Sequence, residues 1–287
     1  MSRIAILTDS GCQIEVNKHE DEGIFVVPLC ITMEDKTYLD QIEINSIEVF
    51  EKMEEKDLIV KTSQPNPGEI TKALERIKSR GYDEVLGITI ATGLSSTLNG
   101  FRLAAEMVNI PITLVDSKAT AGIQKYLVNT AKELINRGMN ALNIKETLDK
   151  MVEYSRTIIM APNLDHLKKG GRITPAVAAL GSMLKIVPVM ELNHDLGGKI
   201  DTLGKVRTIK KAIQTLADRM VELGVNAKDY NLTIEHVLCE DLAINLRDYL
   251  FEKIGECEVE VRELPAVVGA HMGVGGVGCQ FIKKYNG

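Results

Sequence analysis

Two hydroxyl-rich segments, Thr62-Ser63-Gln64-Pro65 and Leu94-Ser95-Ser96-Thr97, hold the residues best suited to chemistry in this chain. Each lies against the predicted start of a helix. There, side-chain hydroxyls and unpaired backbone N–H groups together make an anion site. Neither segment has a His and an acid nearby in sequence to turn its Ser into a nucleophile. The combination suits holding a small anion, such as a carboxylate, rather than attacking a substrate. A single Ser at such a place also reads as a plain helix N-cap. The proline-stiffened Thr62 segment also reads as a turn before a helix.

Other features leave more than one chemistry open. His166-Leu167-Lys168-Lys169-Gly170-Gly171-Arg172 places two glycines at a helix end, an ordinary C-cap. Arg172 then reads as a solvated charge or as a bidentate clamp on phosphate. Arg207, at a helix start, has the same two readings. Residues 269–278 are glycine-dense around His271. They lack the strand–helix context of a dinucleotide fingerprint and the Gly-Lys-Ser/Thr ending of a P-loop. His271 reads as a structural imidazole in a turn. Alternatively it is the general base of an enzyme acting on a small carboxylated or phosphorylated metabolite. The five His and five Cys show no HxxxH or CxxC spacing, so neither a metal nor another cofactor is expected.

The elements that must position these residues follow from hydrophobic periodicity. Strands are predicted at 3–8, 24–33, 37–39, 84–91 and 112–115. Helices are predicted from a Ser46 cap through 55, and at 67–80, 94–108 and 121–137. Such alternation implies a mainly parallel sheet with helices on both faces, a three-layer α/β/α arrangement. Ligands of such sheets bind outside the carboxyl ends of the strands. Asp9-Ser10, the Ser95 segment and Asp116-Ser117 should therefore gather at one edge. The second part reads differently. Strands are predicted at 156–160, 186–192, 199–203, 232–236, 258–264 and 277–282, and helices at 164–169, 174–183, 207–223 and 242–254. That order fits a mixed sheet with antiparallel pairs. Two α/β domains are expected, 1–155 and 156–287.

Composition removes several function classes. The formal net charge of −6, with no Lys/Arg block, argues against nucleic acid. No apolar run approaches the roughly 20 residues of a membrane span. Residues 1–9 run straight into a strand and lack a signal peptide's apolar core. Five scattered cysteines read as reduced thiols of a cytoplasmic protein. Eleven Met and no Trp suit either an adaptable core or a chain-shaped ligand.

Taken together, and in this order along nearly the whole chain, six segments resemble the DegV family of bacterial fatty-acid-binding proteins. They are Ile6-Leu7-Thr8-Asp9-Ser10, Thr62-Ser63-Gln64-Pro65, Leu94-Ser95-Ser96-Thr97, Val115-Asp116-Ser117, the stretch from Leu167 to Ile173, and His271-Met272-Gly273. Two departures stand out: Ser96 replaces the family's usual Gly, and Val274 replaces the Pro of its Gly-Pro-Gly. The resemblance implies a lipid-binding carrier, not an enzyme, with a long-chain fatty acid buried between two α/β domains. It implies that Thr62 and Ser95, with Ser96 and His271 beside them, hold the carboxylate. It also implies a partner, a separate ATP-dependent fatty acid kinase that makes an acyl phosphate. Arg172, Arg207 and His271 match positions near the head group or the kinase surface. The helix 177–184 and the strand 186–190 are the expected tail-lining segments.

Overall fold

The structure is a computed structural model and describes residues 2–180 and 186–285. The first part runs β1 (Ile4–Asp9), β2 (Ile24–Val27), β3 (Cys30–Met33), β4 (Lys36–Leu39), α1 (Ser46–Lys56), β5 (Lys61–Ser63) and α2 (Pro67–Ser79). It continues with β6 (Glu84–Thr89), α3 (Thr97–Val108), β7 (Ile112–Asp116), α4 (Ala121–Asn136) and α5 (Ala141–Glu153). Strands β2-β1-β6-β7 form a wholly parallel sheet. Period-two alternation divides β1 between two cores. Ala5 and Leu7 pack with Ile70, Leu74 and Phe101 of α2 and α3. Ile4 and Ile6 pack with Ile123 and Leu127 of α4 and Ile144 and Leu148 of α5. This is the three-layer arrangement that the alternation implies.

Caps set the helix starts. Asn45, not Ser46, caps α1, and with Glu48 it forms a reciprocal capping box. Asn66 caps α2 ahead of Pro67. Two elements here have no counterpart in the sequence reading. One is α5, capped by Asn140. The other is β5, which turns the Thr62 segment from a connector into a strand. It pairs antiparallel with β3 in the small sheet β4-β3-β5. At three residues, β5 is too short to show a period.

The second part runs β8 (Arg156–Met160), α6 (Asp165–Gly170), α7 (Pro175–Leu180), β9 (Val187–Asn193), β10 (Ile200–Val206), α8 (Ile209–Glu222), β11 (Tyr230–His236), α9 (Glu240–Ile254), β12 (Glu260–Glu263), α10 (Ala266–Met272) and β13 (Val277–Lys283). The expected helix 174–183 extends beyond the described residues at its end. The sheet has the order β10-β9-β8-β13-β11-β12, antiparallel throughout except for β11 with β12. Helices α8 and α9 cover one face through Leu216, Met220, Leu246 and Leu250, which pack on Ile158, Ile234 and Cys279. The glycine-dense stretch around His271 is not a plain turn: His271 lies on α10, which ends at Gly273. All five cysteines are free. Among the described residues, no helix is long and apolar enough to cross a membrane.

The carboxyl ends of β1, β6 and β7 share one edge, and buried carboxyl groups tie it together. Asp9 accepts from Ile90 N at 2.8 Å and from Gly11 N at 3.1 Å. Burial pushes its pKa up to about 6. Asp40 is buried nearby, with no hydrogen-bond partner for Oδ2 among the described residues. Burial pushes it from 3.8 up to about 7. The folded state thus holds the Asp40 proton more tightly than the unfolded chain does. The stability linked to it is full below about pH 4 and is lost as pH rises through about 7. Asp40→Asn, similar in shape and unable to ionise, should raise the Tm by a few degrees at pH 8 and leave it nearly unchanged at pH 4. Thermal melts of both proteins at the two pH values check this. Equal shifts at both would show that the carboxyl does not titrate as its burial dictates.

Candidate functional site

A narrow cavity lies among the carboxyl edge of the parallel sheet, the small sheet, and the face of the six-stranded sheet that α8 and α9 leave uncovered. Counting its opening to solvent, this slot totals about 800 Å³. Strand alternation makes its floor: Thr157, Ile159, Leu192, Glu235, Gly278 and Gln280 face the slot. Their neighbours Ile158, Ile234 and Cys279 face the core under α8 and α9. The remaining walls are largely apolar, with Leu29, Ile90, Leu94, Leu167, Leu264 and Val267 among them.

Four of the residues singled out from the sequence line this cavity: Thr62, Ser95, Arg172 and His271. Thr62 Oγ1 and His271 Nε2 share a hydrogen bond of 2.6 Å, across 209 residues of sequence. The ring of His271 is buried and packs on Gly170, where a Cβ would overlap Nδ1. Burial, with the Arg172 cation and the His166 ring as neighbours, pushes its pKa down to about 4. The imidazole is therefore neutral near pH 7. Nδ1 has no partner among the described residues. A buried N–H left unpaired is rarer than a buried acceptor left unpaired, which assigns the proton to Nε2. His271 then donates to Thr62 Oγ1, and the Thr62 O–H is free to donate into the cavity.

The Ser95 loop is held from beneath. Leu94 N and Ser95 N both donate to Ala91 O. Gly93 touches the backbone of Gly198, at the tip of the β9–β10 hairpin, so closely that a Cβ on Gly93 would overlap it. Ser95 Oγ lies 2.8 Å from Thr97 Oγ1. Thr97 is buried and Ser95 lines the cavity, so donation from Thr97 to Ser95 leaves the Ser95 O–H for a ligand. Arg172 donates through Nε to Leu94 O at 3.2 Å, and through Nη1 to Gly170 O. Among the described residues it forms no ion pair, and partial burial lowers its pKa from the usual value. The arrangement is two hydroxyl donors and an uncompensated guanidinium in an apolar slot. It can hold an anion but contains no activated nucleophile.

Two expected residues are placed elsewhere. Ser96 is exposed and is not part of the cavity lining. It stands at the N-cap of α3, and its side chain makes no cap hydrogen bond. The loop entering α3 thus turns Ser95 to the cavity and Ser96 to solvent. Arg207 is exposed between β10 and α8, away from the lining. The expected tail-lining segments also differ. Val177 and Met190 are buried in the core beside the slot, Leu192 and Ile200 line it instead, and the end of the predicted helix lies outside the described residues. Reading the sequence missed Thr120, Thr157, Glu235 and Gln280 as lining groups. Polar residues alternating inward on β8, β11 and β13 were the available signal. Among the described residues no group of three or more His, Cys, Asp or Glu could hold a metal.

Comparison with known proteins finds relatives along the whole chain. Residues 3–284 match the family model described as the uncharacterised DegV family. A DegV domain-containing protein of Halalkalibacterium halodurans is 29% identical over 286 residues, covering 99% of this chain and all of that protein. A fatty acid binding DegV family protein from Streptococcus agalactiae superposes with a TM-score of 0.89 at 28% identity, covering 99% of this chain and all of that one. DegV from Bacillus subtilis, described as a fatty acid binding protein, superposes with a TM-score of 0.83 at 30% identity, again covering 99% and 100%.

The His271 assignment is directly measurable. Side-chain NMR titration should place its midpoint near 4, far below the ordinary 6.5. A midpoint near 6.5 would mean that the ring is not buried as described. Because the folded pKa is depressed, the stability linked to His271 is present above about pH 6.5 and lost as pH falls toward 4. Gly93→Ala should push the hairpin off the Ser95 loop. The Ser95 amide signal should then shift with little change in secondary structure by circular dichroism. An unshifted Ser95 amide would show that this contact does not position the loop.

Proposed function

The chain belongs to the DegV family, and we propose that it binds a long-chain fatty acid in this slot. Its carboxylate would lie toward Thr62, Ser95 and Arg172, and its tail along the apolar walls. The observation that carries the reading is the guanidinium of Arg172: half-buried, without an ion pair among the described residues, beside free hydroxyls in a largely apolar cavity. A buried charge is costly until it is paired, and an ionised carboxylate supplies both the charge and the acceptors. The solved relatives are described as fatty-acid-binding proteins, not as enzymes, which supports the same reading.

Energetics divide the labour. Burying roughly 14 methylenes at about 0.8 kcal/mol each gives an upper bound of about 11 kcal/mol. Each hydrogen bond to the carboxylate adds about 1.5–3 kcal/mol. The tail dominates affinity, and the hydroxyls and Arg172 fix which end points where. His271 orients Thr62 through their shared hydrogen bond. The alternative, an enzyme with His271 as general base, finds no favourable observation. Nδ1 lacks an acid partner among the described residues, and an imidazole with a pKa of about 4 is a weak base near neutrality.

The proposed role extends to presentation. The protein would be a cytoplasmic carrier without a cofactor, offering the carboxylate to a separate fatty acid kinase that transfers a phosphoryl group from ATP to give an acyl phosphate. Arg172 would face the head group and the new phosphate. Arg207, exposed, would face the kinase. The resemblance between this chain's motifs and the family's supports this part of the reading.

Thr62→Ala and Ser95→Ala should each weaken fatty acid binding by roughly threefold to tenfold, the worth of one hydrogen bond. Calorimetric titration reads this, and unchanged affinity in the double variant would remove the head-group assignment. Arg172→Ala should weaken binding further and slow acyl phosphate formation with an added kinase. Arg207→Ala should leave the binding isotherm unaltered while slowing turnover. Normal turnover in Arg207→Ala would place the kinase surface elsewhere. The protein alone should form no acyl phosphate from ATP, and detecting any would overturn the carrier reading.

A further inference from the structure

Away from the head-group residues, the floor of the slot carries a second polar group that anion binding does not use. Glu235, Gln280 and Thr157 lie on three adjacent strands, with Gln280 paired to Thr157 and Gly278 paired to Glu235. All three are buried, and all three line the cavity. Part of their hydrogen-bonding capacity is spent on the start of α4. Gly122 N donates to Glu235 Oε1 at 3.0 Å, and Ile123 N donates to Gln280 Oε1 at 2.9 Å. Gln280 Nε2 donates to Thr157 Oγ1 at 3.1 Å. Gln13 also comes within reach of the Glu235 carboxyl. The hydroxyl hydrogen of Thr157 and the second hydrogen of Gln280 Nε2 have no further partner among the described residues, and Glu235 also lines the slot.

We infer that this group is a subsite for an oxygen-bearing position on the acyl chain, so that hydroxylated long-chain acids are the preferred ligands. The inference rests on the fatty-acid reading of the cavity and names the class of acid within it. A plain methylene laid over Glu235, Gln280 and Thr157 would displace water and leave their remaining capacity unmet, which is costly in a buried site. A hydroxyl both donates and accepts, matching what these three side chains offer. The subsite is separate from the carboxylate end. Thr157, Glu235 and Gln280 stand on the six-stranded sheet, whereas Thr62, Ser95 and His271 come from the small sheet, the loop before α3, and α10. Burial raises the Glu235 pKa to about 7. Burial thus favours the neutral, protonated carboxyl more than an exposed Glu would near neutrality.

The test is calorimetric titration of the lipid-stripped full-length protein with stearic acid and with hydroxystearic acids bearing the hydroxyl at mid-chain or at the terminal carbon. At least one hydroxylated isomer should bind about tenfold more tightly than stearic acid, the worth of one or two hydrogen bonds. Thr157→Val and Glu235→Leu should reduce that ratio to below about twofold. Glu235 also caps α4, so Glu235→Leu is interpreted only if its thermal melt stays cooperative. Thr157→Val keeps the β-branched shape and both caps, and carries the test by itself. Stearic acid binding as tightly as every hydroxylated isomer would overturn the inference and leave the group as a helix cap with bound water, the fatty-acid reading standing. Failure of every acid to bind would bring down that reading, and this inference with it.

Discussion

The hydrogen bond between Thr62 and His271 joins the small sheet to α10, and the geometry of the head-group end depends on it. It forms because Gly170 lets the imidazole lie against the end of α6. A larger residue at 170 would displace the ring, leaving Thr62 to turn freely or to satisfy itself elsewhere. Neutrality matters as much as position. A protonated His271 would be a second cation beside Arg172 in a poorly solvated site, and burial with that neighbour holds the ring neutral. The site therefore presents one full positive charge and several directed hydroxyls. A single anion is balanced by that set, whereas a dianion would remain under-compensated.

The other constraint is how a helix of the parallel-sheet part meets the six-stranded sheet. The first turn of α4 points its free N–H groups at that sheet, and no side chain of its own N-cap satisfies them. Glu235 and Gln280 accept from them instead. Gly122 is needed for this approach, since a Cβ there would press on Thr233 and Gln280. The polar residues that interrupt the apolar floor are thus first a means of fastening the two parts of the chain together. Their cavity-facing atoms follow from that fastening, because a side chain capping from the floor must stand beside the slot.

Much of this was legible in the sequence. The parallel sheet showed because β1 and β6 are buried on both faces and read as continuous apolar runs, with turn chemistry at their carboxyl ends. The hydroxyl segments showed because Ser95 stands just before α3 and because the Thr62 segment is rich in hydroxyls and proline, although Thr62 proves to lie on β5. What was not legible depends on long-range packing. The distinction between Ser95 and Ser96 is a matter of which way a loop enters α3, set by Gly93 against Gly198, 105 residues away. The helix α10 was hidden because its two glycines, Gly269 and Gly273, suggested a turn. Gly269 is instead a helical position where Phe50 packs too closely for a side chain. Glu235 was hidden because a single buried acid on a strand has no local signature.

The two departures from the family pattern can be weighed in the same terms. At 96 the backbone has φ −87 and ψ 14, a region open to any L-residue, so glycine's freedom is not required and Ser is accommodated without strain. Its side chain is exposed, so the substitution does not crowd the cavity. At 274 the family's proline would lack a backbone N–H. Here the turn is held by Gly275 N donating to Val237 O and Gly276 N donating to Gly273 O. Its reversal rests on the left-handed conformations of Gly273 and Gly275. Val274 contributes none of these hydrogen bonds, so exchanging proline for valine removes a restriction on the unfolded chain and keeps an apolar side chain packed against the core. It leaves in place the turn by which α10, and with it His271, is followed by β13.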